Sequence, residues 1–307
     1  MKKVLIVGIG GVGGYFGGLL AKAFQNSDEI GLYFLARGQN LAAIQTNGLR
    51  VIKKGERFTI KPHLATDDLK LIGPVDYVIL CVKNYDLDEC LLLLKPCITK
   101  HTIILPLLNG VDHHGKIQAA YPQNVVLAGC VYLVGRLTAP GIVENRGNVS
   151  SLFFGLKEVT DERFLCLEAI FKQADIVATL TKDIEQVVWT KFVFVSAIAT
   201  ATSFYHHSVG QIIEDKEMDH SLRQLIHEVC SLARAKKIEL PEEIEQLTYQ
   251  NISKLPYATT SSMQVDMEKH STKTELEALT GYVVHQIEQL NLQSPVFRLM
   301  YKKLKQS

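Results

Sequence analysis

The chain has 307 residues, 47% apolar and 21% charged, with 33 Lys and Arg against 32 Asp and Glu. That composition excludes a disordered or fibrous chain, and the near-neutral charge gives no bulk attraction to nucleic acid or to an anionic membrane. The length predicts two domains, each with its own core. Cys81, Cys90, Cys97, Cys130, Cys166 and Cys230 are dispersed without a CxxC pair, as expected of reduced thiols in a cytoplasmic protein.

Met1-Lys2-Lys3 and the apolar run to Ala21 have the outline of a secretory leader. Seven glycines between Val4 and Ala21 argue against it, because they weaken the helix that a leader core needs. Lys3–Val7 reads as a buried strand, Gly11–Phe24 as a helix and Ile30–Ala36 as the next strand. Leu49–Val51 and Phe58–Ile60 flank a Lys54-Gly55 turn and read as a hairpin insertion. Val75–Val82 and Thr102–Leu107 are further buried strands, with the helical stretch Asp86–Leu94 between them, and Val125–Leu133 is another strand. Repeated strand–helix–strand units predict a parallel sheet with helices on both faces. Pro140-Gly141 and Arg146-Gly147 mark turns of a late antiparallel segment.

From about Asp183 the apolar residues recur at helical spacing. Ile212, Leu222, Leu225, Ile226, Val229 and Leu232 form one stripe, and Leu276, Leu279, Val283, Ile287 and Leu290 another. No stretch after the N-terminus has the roughly 18 unbroken apolar residues of a membrane span. Residues 1–182 are therefore expected to form an α/β domain and residues 183–307 an all-α domain.

Gly8-Ile9-Gly10-Gly11-Val12-Gly13 matches GxGxxG directly after a strand and at the opening of a helix. In that context the pattern points to a dinucleotide site on a Rossmann-type doubly wound sheet; elsewhere it is only a flexible turn. Gly8 permits the tight turn, Gly10 lets a pyrophosphate reach the backbone, and Gly13 lets helix and strand approach. Gly11 and Val12 contribute N–H groups at the helix start, and Gly17 and Gly18 extend the small face. An NAD site usually ends its second strand with an acid. Here that strand ends Leu35-Ala36-Arg37, no acid occurs through Asn40, and Asp28 and Glu29 stand at the opposite end. Arg37 suits a 2′-phosphate, so NADP(H) is the expected cofactor; a plain surface arginine is the alternative.

Ligands of open parallel sheets bind beyond the carboxyl ends of the strands, where Lys83 and Asn109 fall. Taken singly, one is a common solvated lysine and the other half of an ordinary Asn-Gly turn. With the glycine loop and Arg37, they resemble the ketopantoate reductase (2-dehydropantoate 2-reductase) family over nearly the whole chain. Trp189-Thr190-Lys191 looks like the family's W-x-K, Ser261-Ser262-Met263 with Asp266 like its S-S-M-x-x-D, and Thr274-Glu275 with Gly281 like its T-E-[IL]-x-x-L-x-G. The resemblance implies a Rossmann NADP-binding domain joined to a helical domain, with the active site between them. It makes Lys191 the catalytic acid and assigns NADPH-dependent reduction of 2-dehydropantoate to pantoate for pantothenate and coenzyme A synthesis.

The chemistry fits. Reducing a 2-keto group needs a hydride and a proton for the forming alkoxide, and a lysine near the carbonyl serves the second need. Asn109 is expected to touch cofactor and substrate, Glu275 to accept the substrate hydroxyl and Ser262 to hold its carboxylate, while Lys83 joins the cofactor site. Without the resemblance, Lys191 is more readily a snorkelling lysine on an apolar helix. The family commonly carries asparagines four and eight residues after this lysine, where this chain has Val195 and Ala199. All three positions share one helix face, so a related reductase of a more apolar 2-keto acid is the rival enzyme reading, with Ser196, Thr200 and Ser203 as candidate compensating hydroxyls. One extra residue also separates Asp266 from Thr274. A cofactor-binding sensor without turnover is a third reading, disfavoured by the retained Lys191 and Glu275. A homodimer is compatible with each. No HExxH, GxxxxGK[ST] or GxSxG occurs, so neither a metal site nor those chemistries are expected.

Overall fold

The computed structural model describes residues 1–306 except Lys54, Glu158, Thr160, His270 and Thr272, and describes the backbone only of Asn148. The chain forms two compact units, Met1–Leu108 with His113–Ile184, and Asn109–Asp112 with Glu185–Ser307. The second unit thus takes in Asn109, which an uninterrupted boundary at 182/183 would place in the first.

The first unit runs β1 (Lys2–Val7), α1 (Gly11–Ala23), β2 (Ile30–Leu35), α2 (Gly38–Asn47), β3 (Leu49–Lys53), β4 (Glu56–Ile60), β5 (Leu64–Thr66), β6 (Tyr77–Leu80), α3 (Leu87–Leu93), β7 (Ile103–Pro106), α4 (His113–Ala120), β8 (Val125–Val126), β9 (Ala128–Ala139), β10 (Ile142–Gly155), α5 (Glu162–Gln173) and β11 (Val177–Leu180). One sheet has the order β5-β2-β1-β6-β7-β8, and every pair in it is parallel. The strand order reverses at β1/β6, the switch point where such sheets bind ligands. Side chains alternate across β1. Val4 and Ile6 enter a core with Phe16, Phe34 and Phe154, while Leu5 and Val7 enter another with Leu87, Leu91 and Ile117.

Helices do not cover both faces alone. A second, mixed sheet of order β11-β10-β3-β4, with β9 antiparallel to β10, shares the core on the α1 side. The small face of α1 permits this, since a Cβ on Gly14 would press on Val143 and one on Gly18 on Val51. The hairpin expected around Lys54-Gly55 supplies β3 and β4, although Lys54 itself lies outside the described residues.

Val125–Leu133 is not one strand. Its first part ends the parallel sheet as β8. The Leu127 N–H then bonds to the Ile104 carbonyl at 2.8 Å, and the chain crosses to the second sheet as β9. Pro140-Gly141 is the β9–β10 turn, with Gly141 at φ +72°. Arg146-Gly147 is not a turn; it lies inside β10, where the register with β9 shifts between Asn145 and Ser150.

The second unit contains α6 (Ile184–Tyr205), α7 (Val209–Glu214), α8 (Lys216–Ala235), α9 (Ile244–Ser253), α10 (Ser262–Glu268), a π-helical turn (Glu277–Gly281), α11 (Tyr282–Gln289) and α12 (Pro295–Leu304). The first expected stripe is buried throughout. In the second, Leu276, Leu279, Val283 and Ile287 are buried, but Leu290 is 41% exposed because α11 has ended. Among the described residues one helix, α6, is long and apolar enough to cross a membrane by length and composition, and 61% of its most apolar stretch is buried within the structure. No disulfide joins the six cysteines. Burial pushes the thiols of Cys90 and Cys230 up to about 12 and Cys97 up to about 11, which makes them poor nucleophiles.

Candidate active site

Candidate residues occur in both units. In the first, the loop between β1 and α1 carries the glycines. Gly8 sits at φ +88°, a conformation that L side chains rarely adopt. A Cβ on Gly10 would meet nothing within 4 Å, so this backbone faces open space. Gly10 is also the N-cap residue of α1 and makes no side-chain cap bond, and the first turn carries no acid. Helix-start N–H groups without a side-chain cap, beside an open backbone, form a cradle that fits a pyrophosphate. Gly13 and Gly11 serve packing. A Cβ on Gly13 would strike the Gly8 carbonyl, and one on Gly11 the Gly135 carbonyl of β9. Val12 is half-buried against the core.

Arg37 and Lys83 leave the carboxyl ends of β2 and β6, the two strands that flank β1. Arg37 caps α2 through its backbone, and its side chain is 73% exposed. Lys83 precedes a short 3-10 turn at Asn84–Asp86. Two further residues act here that no local sequence pattern marks. Asn40 donates from Nδ2 to the Ile9 carbonyl at 2.8 Å and accepts the Gly141 N–H on Oδ1 at 2.8 Å, bracing the glycine loop against the β9–β10 turn. Asp86 accepts from Arg37 Nη2 at 2.9 Å. These contacts link residues 31 to 101 positions apart, beyond the reach of any local pattern.

In the second unit, Lys191 occupies the middle of α6 among Phe192, Val193 and Trp189, all buried. Its Nζ donates to Asn109 Oδ1 at 2.8 Å in a partly buried setting. The structure therefore joins two of the expected site residues, 82 positions apart. Glu275 is only 2% exposed and immediately precedes the helical turns that become the π-helix. Ser262, the first residue of α10, is exposed. Its neighbour Ser261 is the residue built into the fold, accepting the Gln264 N–H at 3.0 Å and the Thr202 hydroxyl at 2.8 Å.

The family's two asparagine positions differ in setting, since Val195 is half-buried and Ala199 is 2% exposed. The suggested compensating hydroxyls turn inward. Ser196 donates to the Phe192 carbonyl at 2.6 Å, Thr200 pairs with Thr280 at 2.8 Å, and Ser203 is fully buried. None of the three reaches an open surface. Among the described residues, no group of three His, Cys, Asp or Glu is placed to hold a metal ion.

Residues 4–157 match the family model described as ketopantoate reductase PanE/ApbA, and residues 183–307 match the model for its C-terminal part. A 2-dehydropantoate 2-reductase structure from Porphyromonas gingivalis W83 is 33% identical, with a TM-score of 0.86 and 99% of each chain covered. The oxidoreductase YkpB of Bacillus subtilis is 28% identical over 98% of this chain and 97% of its own. A 2-dehydropantoate 2-reductase of Halobacterium salinarum is 25% identical over 97% of this chain and 96% of its own. With both family models matched in order along a chain that has the corresponding parallel sheet and helical part, this protein belongs to the ketopantoate reductase family of oxidoreductases.

Proposed function

We propose that the protein reduces 2-dehydropantoate (ketopantoate) to pantoate with NADPH, in the cytoplasm, on the route to pantothenate and coenzyme A. The observation that carries the reading is the Lys191–Asn109 hydrogen bond, which holds an ammonium in place on a largely apolar helix. NADPH, when bound, supplies the hydride. The glycine loop and Arg37 would hold its pyrophosphate and 2′-phosphate, with Lys83 beside them.

Lys191 stabilises the negative charge that grows on the substrate's 2-oxygen and gives that oxygen its proton; the resulting amine is reprotonated from solvent. Asn109 orients the ammonium, so little reorganisation accompanies the transfer. Glu275 accepts the hydrogen bond of the substrate's hydroxyl, and Ser262 donates to its carboxylate. No other macromolecule is needed, and a homodimer is an assembly compatible with this chemistry.

Buried Ala199 and half-buried Val195 favour a second reading, a reductase for a more apolar 2-keto acid. NADPH oxidation against a panel of 2-keto acids separates the two. Highest kcat/KM for ketopantoate supports the first reading, and preference for 2-ketoisovalerate would establish the second.

A further inference from the structure

The second strand carries no acid at its carboxyl end, yet the fold brings one there from elsewhere. Asp86 follows β6, Arg37 follows β2, and β1 with its glycine loop lies between those strands. The Arg37 Nη2–Asp86 Oδ2 pair at 2.9 Å therefore spans the carboxyl edge of the sheet where the loop emerges. The partners are unequally placed. The Asp86 side chain, at the start of α3, is 16% exposed, whereas that of Arg37 is 73% exposed. The carboxylate is the more enclosed member of the pair and the guanidinium the one open to an incoming ligand.

We propose that Asp86 determines how strongly the protein discriminates NADPH from NADH, its carboxylate competing with the 2′-phosphate for Arg37. This rests on the reading that Arg37 receives that phosphate. A phosphate arriving at Arg37 must displace a carboxylate or share the guanidinium with it, and two anions sharing one cation repel. NADH meets no such conflict. Its ribose hydroxyls donate hydrogen bonds, and the Asp86 carboxylate beside Arg37 is an acceptor for them. One acid thus lowers NADPH affinity and supports NADH affinity. Asp86 makes no side-chain cap bond to α3, so replacing it removes no helix cap.

The test is direct titration of NADPH and NADH, followed by cofactor fluorescence, with wild type, Asp86→Asn, Asp86→Ala, Arg37→Ala and the Arg37→Ala/Asp86→Asn double variant. Asp86→Asn should tighten NADPH about fivefold, the scale of an exposed ion pair and its associated repulsion, and leave NADH within about twofold, because the amide oxygen still accepts. Asp86→Ala should tighten NADPH similarly and weaken NADH severalfold. In the Arg37→Ala background, Asp86→Asn should lose most of its effect on NADPH. NADPH binding that is unchanged or weaker in Asp86→Asn, while Arg37→Ala selectively loses NADPH, overturns the role of Asp86 and spares that of Arg37. Equal loss of both cofactors in Arg37→Ala removes the phosphate reading itself, and the proposal falls with it.

Discussion

The Thr200 and Thr280 hydroxyls meet at 2.8 Å with both residues fully buried, tying α6, which carries Lys191, to the π-helical turn that follows Glu275. A π-helical turn breaks the regular α repeat and marks functional segments often. Here the bond fixes where that irregular turn docks. Thr200→Val should destabilise the protein by about 1–3 kcal/mol, because the Thr280 hydroxyl is left buried without its partner. The double variant Thr200→Val/Thr280→Val should recover much of that loss. Denaturant melts of the two singles and the double measure the coupling; strictly additive losses would show that the hydroxyls do not act as a pair.

Arg37 should distinguish the cofactors. Arg37→Ala is expected to weaken NADPH by about 1.5–3 kcal/mol, the range for a hydrogen bond to a charged group, with NADH little affected. Calorimetric titration of both cofactors gives the difference.

The substrate preference should respond unequally at the two altered family positions. Val195→Asn places an amide at a half-buried site and should widen the kcat/KM ratio of ketopantoate over 2-ketoisovalerate, since a pocket that bonds a hydroxyl discriminates against analogues lacking it. Ala199→Asn forces a larger polar group into a site that is 2% exposed and should destabilise the fold by about 1–3 kcal/mol. Competition assays and thermal melts separate the effects. An unchanged ratio in well-folded Val195→Asn would remove that position from substrate recognition.

Glu228 gives a pH signature with a definite sign. Its carboxylate accepts the Val296 and Phe297 N–H groups at 3.0 and 2.9 Å, where α12 begins. Burial raises its pKa, and the two backbone donors only partly oppose that rise. The folded state therefore holds a proton more readily than the unfolded chain. The stability from Glu228 is present in full below the ordinary glutamate value and is lost as pH rises through the raised one. Wild-type stability minus that of Glu228→Gln should decline with rising pH across that window; a difference that grew with pH would contradict the assignment.

The residues that dictate local geometry were legible in the sequence. The glycine loop, the buried strands β1, β2, β6 and β7 and the helical stripes each announce themselves through spacing within about ten positions. Features set by tertiary pairing were not. Val125–Leu133 reads as one apolar strand because burial is continuous, and only tertiary pairing divides it between two sheets. The π-helical turn has no distinctive composition, and its stripe matches an α-helix until Leu290. Asp86 lies in a helix-start segment 49 positions from Arg37, so its pairing with Arg37 comes from strand order alone.

On the proposed function, Lys191, oriented by Asn109, delivers the proton that accompanies hydride transfer. Single-turnover oxidation of bound NADPH on ketopantoate, compared between wild type and Lys191→Ala, tests it most directly because product release does not enter. A rate at least about a hundredfold lower in the variant, with NADPH affinity within about twofold of wild type, is the predicted result. A variant that keeps most of the single-turnover rate would remove Lys191 from the chemistry.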